Sequence, residues 1–190
     1  HVFGDASEQA YGCCCYLRSH GETALVMSKA RVAPLKRTTL PRLELMACML
    51  SARLAVHVRT ALRIPDAPCF FWTDSMIALG WIKGDPARWK PFVANRVREI
   101  QALTNPGKWF HCAGIQNPAD LLTRGFAAPE LMASELWWHG PPWLLTSDQR
   151  LAGESHEEIA QSVELCPDEM RPARVLLCGR ENDWLPVDRW

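Results

Sequence analysis

Four carboxylates limit what this chain can fold into: Asp5 closes the apolar run HVFGD, Asp74 closes CFFWTD, Glu44 opens the helical stretch LPRLEL, and Asp120 begins another in NPADLLTRG. Short apolar runs bounded by turn residues read as buried strands. If the strands ending at Asp5 and Asp74 are parallel neighbours, both carboxylates emerge at one carboxyl edge, where ligands bind in open α/β sheets. Singly, Asp5 also fits a turn residue, Asp74 and Asp120 helix caps, and Glu44 a solvated first-turn charge. Together they form a set of oxygen ligands suited to a hard divalent cation, and such cations clamp the attacking and leaving oxygens of a phosphodiester.

The rest of the pattern supplies a sheet. Residues 11–18 (YGCCCYLR) and 23–32 (TALVMSKARV) are strand-like, and Ser19 to Glu22 separates them as a hairpin turn. Pro41 sits where a first helical turn tolerates it, and Leu43, Met46, Ala47, Leu50, Leu54 and Val58 recur at helical spacing, which predicts a helix to about residue 62. The helical face of Glu44 continues through Ala47, Cys48, Ser51 and Ala55, all small, so this helix can lie close on the sheet. Helices over 76–83 and about 89–104, a strand over 108–112 and a short helix from Asp120 complete the order β-β-β-α-β-α-α-β-α. The expected fold is α/β, a mixed five-stranded sheet of three antiparallel and then parallel strands flanked by helices.

Composition narrows the partners. The net charge is zero overall, but residues 1–150 carry 17 Lys and Arg against 12 Asp and Glu, while 151–190 carry 4 against 9. A basic body suits a polyanion, and an acidic tail suits a linker. The eight cysteines contain no CxxC pair, and Cys13, Cys14 and Cys15 alternate across a strand, so they read as buried thiols and not as a zinc or disulfide framework. No stretch reads as a membrane span or signal peptide, and the chain is expected inside the cell. It starts on a strand without a methionine, as a piece of something longer would.

The segments FGDASEQAYG, LVMSKARVAPLKRTTLPRLEL, FWTDSMIALGWIKG, RWKPFVANRVREIQ, WFHCAGIQNPADLLTRG and LWWHGPPWL resemble, in that order, the ribonuclease H domain of LTR retrotransposon polyproteins of the BEL/Pao group. The resemblance covers roughly 1–145. It implies a ribonuclease H-like fold and cleavage of the RNA strand of an RNA/DNA hybrid during reverse transcription. It also implies two Mg²⁺ ions, with Mn²⁺ as the alternative, held by Asp5, Glu44, Asp74 and Asp120. Reverse transcriptase and integrase regions of the same polyprotein become expected partners, and the cytoplasm (in a virus-like particle) or the nucleus the expected location. Cellular relatives place a histidine in the loop before the last aspartate; here Ala113 to Asn117 has none, and His111 lies in the preceding strand.

Two basic clusters are candidates for phosphate contact: Lys29, Arg31, Lys36, Arg37 and Arg42 before and into the Glu44 helix, and Lys83, Arg88, Lys90, Arg96 and Arg98 after the Asp74 helix. Ser7, Glu8 and Gln9 are candidates for reading the RNA 2′-hydroxyl, whereas Trp72, Trp81, Trp89 and Trp109 read as core. The expected organisation is a domain over 1–150, ending in LWWHGPPWL, and an acidic linker over 151–190. A second reading is a catalytically silent ribonuclease H-like module that binds nucleic acid or holds a polymerase together. The chain lacks Asp-Asp and any Asp-Thr-Gly or Asp-Ser-Gly, so polymerase and aspartic protease sites are absent from it.

Overall fold

A computed structural model describes residues 1–146, 155–164 and 166–172. Strands β1 (Val2–Ala6), β2 (Ala10–Ser19) and β3 (Glu22–Val32) run antiparallel. His20 and Gly21, both with positive φ, make the two-residue turn between β2 and β3, whose twist matches the strands it joins. Helix α1 (Leu40–Leu62) crosses to β4 (Phe71–Thr73), and α2 (Met76–Lys83) and α3 (Pro91–Leu103) lead to β5 (Trp109–His111). The sheet order is β3-β2-β1-β4-β5, with β4 parallel to both β1 and β5. The mixed five-stranded α/β sheet of a ribonuclease H-like fold is therefore present.

Helix α3 starts two residues later than its periodicity suggests. Lys90 precedes Pro91, and a residue before proline is pushed out of the helical region; its φ of −60° and ψ of 159° are extended. Trp89 instead lies in extended chain and is buried.

The sheet separates two cores. Val2, Cys13, Cys15, Phe71 and Trp109 pack beneath α1 and α3, while Phe3, Cys14, Tyr16, Trp72 and Phe110 face the other way. The LWWHGPPWL segment covers that second face. It forms α6 (Glu135–His139) and α7 (Trp143–Thr146), which follow α4 (Asp120–Thr123) and α5 (Ala128–Met132). The Trp143 ring stands 4.6 Å from Trp72 and 6.0 Å from Phe3. Tyr16 Oη donates to the carbonyl of Trp137 at 2.8 Å, and Thr23 Oγ1 to that of His139 at 2.6 Å. These bonds anchor helices too short to be stable alone.

Two readings of composition need correction. Helix α1 is long and apolar enough to cross a membrane by length and composition, with a mean hydropathy of 1.3 over its best window. It is instead a core helix, with Leu43, Leu45, Leu50, Leu54 and Val58 buried. The stretch expected to be a linker also contributes to the body. Helix α8 (His156–Glu164) packs on α2, burying Ile159 and Val163, and the backbone of Met170 bridges to Trp89. Leu165, Val175, Leu176, Leu177 and Trp184 of that tail lie outside the described residues, as does the expected boundary at 150.

All seven cysteines among the described residues are free, and Cys13, Cys14, Cys15, Cys48 and Cys112 are buried.

Candidate active site

Parallel pairing of β1 with β4 carries Asp5 and Asp74 to the same edge. The register sets Gly4 opposite Thr73, so Asp5 and Asp74 follow at matching heights on adjacent strands. Glu44 reaches this edge because α1 lies tight on β1. A Cβ at Gly4 would stand 2.7 Å from Ser51 Oγ and 3.3 Å from the Ala47 carbonyl, both on the small-residue face of α1. Asp120 arrives from the opposite face, as the first residue of α4.

The four form a connected set. Asp5 and Asp74 lie close enough to act on each other's protonation. Burial pushes Asp5 up to about 7, and the charges of Asp74 and Asp120 add to the rise, while a hydrogen bond from the Thr123 hydroxyl opposes it. Glu44 is raised by burial and, to a smaller degree, by Asp5; the Ser75 hydroxyl lies near it and pulls the other way. Asp74 is raised by burial and then by the charge of Glu44. Its Oδ1 is buried and has no hydrogen-bond partner. Asp120 differs: its Oδ1 accepts from Arg124 Nε at 2.5 Å in an i,i+4 ion pair. Mutual repulsion explains the difference, because a fourth carboxylate beside three acids is stabilised by turning to a cation.

Among the described residues, no three His, Cys, Asp or Glu side chains stand together in metal-holding geometry. The donor set nevertheless fits a hard divalent cation. It is all carboxylate oxygen, it includes an orphaned buried oxygen, and burial raises Asp5, Glu44 and Asp74, so their charged forms are penalised without a cation. A bound cation would reverse that cost.

The basic residues divide. Arg31 pairs with Tyr11, which pairs with Ala6, so it lies in line with the end of β1 and two strands away, about 10 Å at ordinary strand spacing. Lys29, on β3 with Arg31, pairs with Cys13 of β2. Lys29, Arg31, Lys36 and Arg37 are exposed, and Arg37 lines a cavity of about 530 Å³ with Glu8, Thr38, Thr39 and Leu43, beside Glu44. Arg42 is not free for substrate: Nε and Nη2 donate to Glu169 at 2.5 and 3.1 Å, and its guanidinium lies 4.7 Å from the Phe92 ring centre. Arg88 and Lys90 are exposed, but their backbones bond Arg171 and Glu169, so the tail runs beside them. Arg88 also lies over Trp89, which is buried, as are Trp72, Trp81 and Trp109.

Several residues of the site were not legible in sequence. Ser75 reads there only as a cap. Its Oγ does accept from Ala78 N at 3.1 Å, and its hydroxyl also lies near enough to Glu44 to lower that carboxyl against the effect of burial. Ser7, expected near substrate, donates to the Thr123 carbonyl at 2.8 Å, a structural use of its hydroxyl. His111 is half-buried and pairs with Thr73, one strand from Asp74.

Residues 1–75 match a family described as the Pao retrotransposon-like RNaseH-like domain. The match spans Asp5, Glu44 and Asp74; Asp120 lies beyond it. No curated protein and no solved structure matches the chain.

Proposed function

From the premise of a Pao-type ribonuclease H domain, which the match over residues 1–75 supports, we propose that the chain is a retrotransposon ribonuclease H that hydrolyses the RNA strand of RNA/DNA hybrids. The observation that supports this reading is the parallel pairing of β1 with β4, which brings Asp5 and Asp74 to one sheet edge, where Asp5, Glu44 and Asp74 are each raised by burial and by a neighbouring carboxylate. These four would hold two Mg²⁺ or Mn²⁺ ions, whose chemistry is to activate the attacking water and stabilise the leaving oxygen.

The chain's own residues do the rest. Thr123 orients Asp5 through its hydroxyl, Ser75 lies beside Glu44, and the packed α1 face excludes water from beneath the site. Lys29, Arg31, Lys36 and Arg37 would meet hybrid phosphates and supply affinity without sequence preference. The Arg124 contact with Asp120 favours a second reading, a silent nucleic-acid-binding module, because Asp120 must leave Arg124 to ligate. One experiment separates the two: the full chain with a labelled RNA/DNA hybrid, with Mg²⁺ and with chelator. Metal-dependent shortening of the RNA strand alone supports the enzyme. Binding without cleavage supports the module.

A further inference from the structure

Asp5 and Asp120 come from elements far apart in sequence, and α4 is a four-residue helix that cannot hold its own position. Side chains on both flanks of Asp120 tie it to both flanks of Asp5. Three residues before Asp120, Asn117 is 1% exposed. Its Nδ2 donates to the Gly4 carbonyl at 3.0 Å, and its Oδ1 accepts from Ala119 N at 3.1 Å, which fixes the turn into α4. Three residues after Asp120, Thr123 is 3% exposed and donates through Oγ1 to Asp5 Oδ2. The Thr123 carbonyl in turn accepts from Ser7 Oγ. Beneath them Gly12, the register partner of Asp5, gives α4 room: a Cβ there would stand 3.2 Å from Leu122 Cδ1 and 3.3 Å from its Cβ.

We infer that Thr123 is a positioning residue that sets the placement of the Asp5 carboxylate beside Asp120, and with it the affinity of the site for a divalent cation. The inference rests on the proposed reading of the four carboxylates as one ligand set. A purely structural role explains Asn117, whose partners are backbone. Thr123 differs: its Oγ1 also lies 3.1 Å from the Asp120 carbonyl, the usual bond of a threonine within its own helical turn, but the closer acceptor is the Asp5 carboxylate. That bond selects one orientation of the Asp5 carboxyl and occupies only one of its acceptor sites, so the others stay available. Groups that orient metal ligands in this way typically control affinity by ten-fold or more.

The test is Mn²⁺ titration of the full chain by calorimetry, with thermal unfolding in chelator alongside. Thr123→Val keeps the shape and removes the donor, and is expected to weaken Mn²⁺ binding by about ten-fold; Thr123→Ser keeps the donor and is expected to stay within about two-fold of the parent. Should Thr123→Val not fold, Ser7→Ala, at a half-buried position, is expected to weaken binding a few-fold by loosening the Thr123 backbone. Equal affinity of Thr123→Val and the parent overturns the positioning role, as does equal weakening by Val and Ser, or a lowered melting temperature with unchanged affinity. A parent chain that binds no Mn²⁺ overturns the metal reading itself, a result distinct from any of these.

Discussion

Glu169 receives Arg42 through both carboxylate oxygens, at 2.5 and 3.1 Å, across 127 residues of sequence. Glu169 is nearly buried, and its carbonyl also accepts from Lys90 N at 2.8 Å. Cys166 stands near enough to Glu44 for that charge to help raise its thiol, after burial and the charge of Glu169. The segment around Glu169 thus packs beside the opening of α1, next to the acidic site.

If this docking contributes to the fold, weakening it in the full chain lowers stability. Val163→Asp places a charge at a site 7% exposed against α2. An uncompensated buried charge of this kind is expected to cost about 2 kcal/mol or more, hence roughly 5 °C in melting temperature. Glu169→Gln keeps the shape and weakens the Arg42 contact, with an expected loss of about 1 kcal/mol. Unchanged melting for Val163→Asp would show that α8 does not dock in solution.

The second sheet face makes a separate claim on stability. Trp143 fills the space against Phe3 and Trp72. Trp143→Ala is expected to destabilise by about 3 kcal/mol, as large-to-small core changes do, since α7 is too short to collapse into the gap. Urea unfolding measures this, and a loss below about 1 kcal/mol would mean that LWWHGPPWL is peripheral.

Asp5 connects stability to pH. Its folded value, pushed up to about 7, lies above the ordinary 3.8, so the folded state holds its proton while the unfolded state releases it. The resulting penalty is absent below about pH 4, grows as pH rises, and is complete above about pH 7. Asp5→Asn removes that penalty and can still accept from Thr123. In chelator near pH 8 it is expected to melt several degrees above the parent, by on the order of 2 kcal/mol, and the gain should vanish near pH 4. A gain that is the same at both pH values would point to packing instead of charge.

How much of this was legible in sequence depends on the range of the interaction. The order of strands and the span of α1 followed from periodicity, because each is decided by residues within a few positions. The small face of Ala47, Cys48, Ser51 and Ala55 marked where helix and sheet approach, and the structure sets Gly4 against Ala47 and Ser51. The tail misled because acidic composition outweighed a short apolar pair, Ile159 and Val163, four residues apart on one helical face. The links from Thr123 to Asp5, Asn117 to Gly4 and Arg42 to Glu169 join residues more than a hundred positions apart, and no local pattern marks them.

Asp74 offers the sharpest test of the proposed chemistry. It sits just past β4, its Oδ1 is buried without a partner, and the charge of Glu44 helps raise it. Asp74→Asn keeps the shape and removes one negative ligand. Metal clamping should fail and cleavage of the hybrid should drop by several orders of magnitude, whereas hybrid binding should hold or strengthen because a charge that repels phosphate is gone. The same substitution removes a carboxylate that burial and Glu44 both penalise, so the variant should melt no lower than the parent in chelator at neutral pH. Cleavage within a few-fold of the parent would rule out a metal-ligand role for Asp74. Cleavage and melting temperature falling together would instead mark it as structural.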